Sequence, residues 1–385
     1  MIGIGINTGT SADAIDVVVA EFQKRGTFPS VRLLWDGTYP YPPVLKRQFL
    51  GLVDPVARLR SRSLLDRIGR LDFALGIAFS DAVERAVRAC GIGKRRVSFI
   101  GSHGQTVWHG PLTAGSPPSG HLSTGSTIQL GNPSVMAVRT GIPVVAHFRD
   151  KDIASGGQGA PLAPILHYVL FRQFAPAVVV NIGGIANMTV LPSGRDFGPV
   201  YGFDTGPGNR LIDITVYAYT GGRQAFDRDG ALANRGTIDR AVLRRLMRDR
   251  FVRMRPPKST GRERYHSMYL KSRGIATSSP AAIAVLTAFT AHSIAYNIEH
   301  FVRQRTEDLI VCGGGARNRT LVHLLSGLVP DARVRTVEEL GYGTGSIEPL
   351  LFAYLGYLGF NRLPVRLTGI TGSTSAFVPG GIYYP

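Results

Sequence analysis

The chain has 385 residues, 44% hydrophobic and 18% charged, with a formal charge of +18. This excludes a disordered or collagen-like chain and leaves enough length for two domains. The two cysteines, Cys90 and Cys312, make neither a disulfide framework nor a zinc site.

The basic excess gathers in Arg-rich stretches such as Arg58–Arg70 and Arg240–Arg255. In Leu243-Arg244-Arg245-Leu246-Met247-Arg248 the apolar residues recur at three and four, so these arginines read as the wet side of amphipathic helices. No nucleic-acid motif accompanies them, and no nucleic-acid partner is expected. The first residues, Ile2-Gly3-Ile4-Gly5-Ile6, are strand-like and leave no room for a signal peptide. The apolar stretch Ala281–Ile298 is interrupted by Thr, His, Ser and Asn and reads as a buried helix rather than a membrane span. The expectation is a cytoplasmic protein with no membrane partner.

In chain order, Ile2–Ile6 and Ile15–Glu21 read as strands joined by the turn Asn7-Thr8-Gly9-Thr10-Ser11. Leu64–Ala89 has helical periodicity, and Val97–Ile100 is a short buried strand running into Gly101-Ser102-His103-Gly104-Gln105-Thr106. Residues 111–126 read as a surface loop. The pattern then recurs: strand Ala177–Val180, turn Asn181-Ile182-Gly183-Gly184-Ile185-Ala186-Asn187, strand Met188–Leu191. A third strand-to-glycine junction joins Asp308–Val311 to Cys312-Gly313-Gly314-Gly315-Ala316. Two similar strand–turn–strand units predict two domains of like construction that present glycine turns to a shared cleft.

Taken singly, the motifs leave alternatives open. Gly9-Thr10-Ser11-Ala12-Asp13-Ala14-Ile15-Asp16 offers backbone N–H groups and hydroxyls to phosphate oxygens, or is a plain hairpin turn. A dinucleotide fingerprint fits poorly, because a strand follows where a helix is required. Asp204, before the Gly206-Pro207-Gly208 bend, suits a general base with room for substrate, or is an Asx turn or helix cap. Arg149 and Asp152, beside Gly156-Gly157-Gln158-Gly159, suit recognition of a hydroxylated or carboxylated ligand, or form a loop ion pair. Lys258-Ser259-Thr260-Gly261-Arg262-Glu263 is a nucleotide contact or a polar turn. His103, His109, His121 and His147 have no metal-ligand spacing.

The order of these motifs is more specific than any one of them. Gly9-Thr10-Ser11-x-Asp13-x-x-Asp16, Gly101–Val107, Gly156–Leu162, Asn181–Asn187, Phe203–Asn209, Phe226–Ala231, Pro257–Glu263 and Cys312–Asn318 follow in a series that resembles the anhydro-N-acetylmuramic acid kinases over nearly the whole chain. The levoglucosan kinases are similar. The resemblance implies a two-domain α/β actin/hexokinase-like (ribonuclease H-like) fold with a central cleft. Residues 1–145, completed by 365–385, would form the first domain and 146–364 the second. It implies ATP and Mg²⁺ as cofactors, a 1,6-anhydro sugar as substrate and a homodimer.

Residue by residue, the resemblance implies that Asp204 is the base that activates water. It implies ATP contacts at Gly9, Thr10, Ser11, Asp13, Asp16, Gly183, Gly184, Lys258, Gly313, Gly314 and Gly315. Sugar contacts fall on His103, Gln105, Arg149, Asp152 and Gly159. Glu348, and Asp204 through water, would sit near the magnesium. Three positions depart from the family pattern: His147 and Ala14, where Asp and Gly are usual, and Pro349, where Ala is usual. Gly157 resembles the muramic-acid enzymes, since the levoglucosan enzymes tend to carry Arg there. A kinase for another anhydro sugar and a non-catalytic binding relative are the competing readings.

Overall fold

The computed structural model describes residues 1–9, 12–24, 28–53, 61–110, 125–194, 196–261 and 264–385. The chain divides into two compact units, Met1–Val169 with Gly345–Pro385, and Leu170–Thr344.

In the first unit, β1 (Ile2–Thr8), β2 (Ala14–Gln23) and β3 (Ser30–Pro40) form an antiparallel meander. After the long helix Ser61–Ala89 come β4 (Val97–Ser102), the separate ladder of β5 (Gln105–Gly110) with β6 (Ser126–Leu130), and β7 (Val144–Ala146). β4 pairs parallel to β1 and β7 parallel to β4, and the C-terminal strand Gly381–Tyr383 closes the edge beside β7. The sheet order is β3-β2-β1-β4-β7 plus that last strand.

The alternation Ile-Gly-Ile-Gly-Ile explains how β1 carries helices on both faces. Side chains alternate across a strand, so Ile2, Ile4 and Ile6 join Leu71, Leu75 and Phe79 of the long helix in one core cluster. The opposite face offers glycines, and there the helix Ile347–Phe360 lies in backbone contact. A Cβ at Gly5 would run into the Pro349 carbonyl, and one at Gly101 into that of Phe352. Pro349 is the third residue of this helix, in the first turn where a missing N–H breaks no intrahelical bond. The departure at Pro349 therefore leaves the helix start intact.

In the second unit, β8 (Ala177–Ile182), β9 (Ile185–Leu191) and β10 (Tyr201–Pro207) form an antiparallel meander, and β11 (Asp308–Cys312) and β12 (Arg333–Thr336) continue it in parallel. The order is β10-β9-β8-β11-β12. Both units thus have the same five-strand order, that of the ribonuclease H-like fold, so the chain has the expected actin/hexokinase-like class.

The helix Pro280–Phe301 fills the core of the second unit, started by Ser279, whose hydroxyl accepts from Ala282 N–H at 3.3 Å, and by Pro280 at its first position. It is long and apolar enough to cross a membrane, and 78% of its apolar window is buried inside the protein. The Arg-rich stretch forms the short helices Arg240–Leu246 and Arg250–Arg253. They bury Leu243, Leu246, Phe251 and Val252 and leave Arg240, Arg244, Arg245, Arg248, Arg250 and Arg253 exposed, as the periodicity predicts.

The unit boundaries differ from the sequence reading, because residues 146–169 and 345–364 lie in the first unit. Strand β7 runs directly into the helix Phe148–Ala154, whose Asp152 accepts from Thr371 near the C-terminus, and Gln158 N–H donates to the Thr371 carbonyl. Most of the expected loop, residues 111–124, lies outside the described residues, and Ser126 opens β6.

Candidate active site

The first unit gathers one group of polar residues where β1 turns into β2. Asn7, at the end of β1, donates from Nδ2 to Glu348 Oε2 at 2.7 Å. The close helix packing allowed by Gly5 and Gly101 sets this pair, since it delivers Glu348 in the first turn of its helix. Thr8 donates to Gln105 Oε1 at 3.0 Å, and Gln105 Nε2 donates to the Gly9 carbonyl at 3.4 Å. Gln105 is fully buried and fixes the start of the turn. Asp16 accepts from Thr38 at 2.8 Å, and Asp13 pairs with Lys46. Thr10 and Ser11 lie outside the described residues.

Beside this group, the helix Phe148–Ala154 carries Arg149 and Asp152 three residues apart, on one face. His147 precedes the helix at φ 61°, a left-handed conformation in which His, like Asn and Asp, is found more often than most side chains. Arg149 donates from Nη1 to the Gly159 carbonyl at 2.7 Å and from Nε to His103 Nε2 at 3.1 Å. Because His103 Nε2 accepts, the ring is neutral with its proton on Nδ1. Burial, with the Arg149 charge beside it, holds the His103 pKa well below its usual value, and the ring stacks on Phe352 at 4.2 Å. Burial brings Arg149 down to about 10, against the pull of the Glu348 and Asp152 carboxylates, so the guanidinium stays charged at neutral pH.

Asp152, expected as a sugar contact, is engaged with its own chain. It is fully buried, accepting from Gly159 N–H at 2.6 Å and from the Thr371 hydroxyl at 2.6 Å. A Cβ at Gly157 would strike its carboxylate. Asp152 therefore folds the 157–159 loop and, through Gly159, positions Arg149.

In the second unit the glycine turns converge on Asn209. The β8–β9 turn presents the carbonyls of Gly183 and Gly184, which accept from Asn209 N–H at 2.8 Å and from Gly208 N–H at 3.0 Å. Asn209 Nδ2 donates to the Ile182 carbonyl at 3.1 Å. Any side chain at Gly313, at φ 76°, would strike Asn181, and one at Gly315 would strike Ile182. A Cβ at Gly314 would come no nearer than 3.7 Å to Asn209 Nδ2, so that position has room. Glycine lets the β8–β9 and β11 turns and the start of the helix Arg210–Tyr219 close on each other, the kind of backbone nest that suits phosphate oxygens.

Asp204 stands on β10, the outer strand of this sheet. Its Oδ2 accepts from the Ser259 hydroxyl at 3.1 Å and from Thr260 N–H at 2.8 Å, and its own N–H donates to the Lys258 carbonyl at 3.1 Å. Lys258, expected as a nucleotide contact, is buried beside this strand. Its ammonium donates to the carbonyls of Phe251 at 3.0 Å and Val252 at 2.9 Å. The rings of Phe203, Phe251 and Phe301 surround it at 5.9, 5.1 and 5.2 Å. Burial lowers the Lys258 pKa to about 8, opposed by the Asp204 and Asp249 charges.

A stability effect with a definite sign follows from this shift. Between pH 8 and 10.5 the folded state binds fewer protons at Lys258 than the unfolded chain, so stability rises with pH across that window. Urea unfolding of wild type and Lys258→Met, at one pH below the window and one inside it, should show wild type gaining on the variant. Parallel curves would mean that the ammonium is not desolvated.

Sequence reasoning reached most of these groups but not their braces. Asn7, Thr371 and Asn209 were not assigned roles, although Asn7 and Asn209 lie in segments singled out as motifs, and Ser259 and Thr260 were read only as a nucleotide contact or a polar turn. Thr371 carried no local signal, because its partner lies 219 residues away.

The whole chain, residues 1–385, matches the family model described as anhydro-N-acetylmuramic acid kinase. A protein of that name from Caldanaerobacter subterraneus subsp. tengcongensis is 36% identical over 387 residues, covering 98% of this chain and 96% of the relative. Another, from Vibrio parahaemolyticus, is 38% identical over 383 residues, covering 99% and 97%. One from Shewanella denitrificans is 38% identical over 384 residues, again covering 99% and 97%. With the doubled strand order and a match spanning every residue, the chain belongs to the anhydro-N-acetylmuramic acid kinase family.

Proposed function

We propose that this kinase phosphorylates 1,6-anhydro-N-acetylmuramic acid at O6 with ATP while water opens the anhydro bridge, giving N-acetylmuramic acid 6-phosphate and ADP. The observation that carries the reading is the Asp204 carboxylate, held on the outer strand of the second unit by two donors. A carboxylate fixed in this way suits a general base. Asp204 takes a proton from water as the water oxygen bonds to C1. The C1–O6 bond breaks, and O6 takes the γ-phosphoryl group. The free O6 exists only once the bridge opens, so the base works at C1 rather than at a hydroxyl of the intact sugar.

Arg149, braced by His103 and Gly159, supplies a fixed cation for a carboxylated sugar, which muramic acid is. Gly157, which has no room for the Arg of the levoglucosan enzymes, supports the same substrate. Gly9, Gly183, Gly184 and Gly313–Gly315 supply backbone donors and room for the phosphates. Among the described residues no group of three or more His, Cys, Asp or Glu is built to hold a metal. Magnesium binds through one or two carboxylates, water and the nucleotide phosphates. Glu348, exposed at its helix start in the first unit, would hold it, and when bound it neutralises charge on the phosphates. Dependence on ATP suits the cytoplasm, and a homodimer is the proposed assembly, which sedimentation would test.

Turnover in heavy-oxygen water tests the chemistry. Label should appear at C1 of promptly quenched product and not in phosphate. Label in phosphate alone, with neither the muramic sugar nor levoglucosan consumed, would overturn the reaction.

A further inference from the structure

We infer that Ser259 and the backbone of Thr260, held by Lys258, form an orienting clamp for the Asp204 carboxylate, and that this clamp sets the rate of water activation. The inference rests on the reading of Asp204 as the base. Strand β10 slips register against β9 between Asp204 and Gly206. Such irregularities re-aim side chains next to sites. The 258–260 segment lies along this point: its Lys258 carbonyl accepts from Asp204 N–H, and its next two residues donate to Oδ2.

The segment is itself anchored. Lys258 is 5% exposed, and its side chain ties 258 back to the carbonyls of 251 and 252. Asn297, on the core helix, donates from Nδ2 to the carbonyls of Val252 at 3.3 Å and Thr205 at 3.1 Å, joining the same loop to β10. A carboxylate without such donors rotates broadly about its last bond. Two donors on Oδ2 fix its plane, and a fixed base loses less to misalignment when water is attacked. Lys258 and Ser259 are thus positioning residues, and a cation buried among phenyl rings does not reach a nucleotide.

Steady-state kinetics on three variants, with Asp204→Asn as reference, test the clamp. Ser259 is exposed, so Ser259→Ala should melt as wild type does. Its kcat should fall on the order of ten-fold with the ATP KM within about two-fold, and Ser259→Thr, which keeps the hydroxyl, should recover most of the rate. Lys258→Met should lose kcat more deeply with the ATP KM again unchanged. Should it fail to fold, the Ser259 pair carries the test alone. If Ser259→Ala keeps full kcat while Asp204→Asn is inactive, the clamp is wrong and the base stands. An ATP KM raised about ten-fold in Lys258→Met, with kcat kept, would make Lys258 a nucleotide contact and overturn the inference. Full activity in Asp204→Asn would remove the base reading, and the clamp with it.

Discussion

Asp204→Asn should fold and yet lose turnover by about 10² to 10⁴. Asparagine has the size of aspartate, and its side-chain oxygen can still accept from the Ser259 hydroxyl and Thr260 N–H. What disappears is the lone pair basic enough to take a proton from water. The substitution also removes an anion whose charge favours the buried Lys258 ammonium. A loss of about 1 kcal/mol, or some 2–4 °C in melting temperature, is the expected structural cost. A coupled assay of ADP release with the anhydro sugar, read beside a thermal melt, separates the two effects. Near wild-type turnover would remove Asp204 from the mechanism. A collapse in melting temperature would mean that the carboxylate mainly holds the fold.

The elements and the order of the glycine motifs were legible in the sequence because both are local. Strand β1 announces itself by alternation, and its glycines mark the face where the helix Ile347–Phe360 packs. The strands at 97, 177 and 308 stand where β-branched runs meet glycine turns, and the family series ties them to one fold. The unit boundaries and side-chain roles were less legible, for a physical reason. They depend on partners far apart in the chain: Asn7 with Glu348, Asp152 with Thr371, Asp204 with Ser259 and Thr260. Charge alone does not reveal the surroundings of Lys258 and Asp152. Each looks like a ligand-facing group in a polar motif, and each is buried and committed to protein partners. A lysine followed by Ser-Thr-Gly carries no mark that distinguishes a phosphate contact from a cation sealed under phenyl rings. The burial appears only in the positions of Phe203, Phe251 and Phe301.

Asp152→Ala should lower stability and weaken sugar binding together. The substitution strips partners from Gly159 N–H and the Thr371 hydroxyl, both bonded at 2.6 Å, in a place that water does not reach. Leaving buried donors unpaired costs about 3 kcal/mol. For a unit of this size that lowers its melting temperature by roughly 6–12 °C. Burial raises the Asp152 pKa, against the pull of Thr371, Gly159 and Arg149, so Asp152→Asn, which keeps an acceptor without a charge to desolvate, should recover part of the loss. The functional effect is indirect. The loop that Asp152 folds presents the Gly159 carbonyl that receives Arg149 at 2.7 Å, and a loosened carbonyl lets the guanidinium drift. The KM for the anhydro sugar should then rise while the KM for ATP holds. A sugar ligand at this position would behave differently, with Asp152→Ala melting as wild type does and only sugar affinity falling. Thermal melts and sugar KM values for the two variants decide between a brace and a contact, and a brace is the expected result.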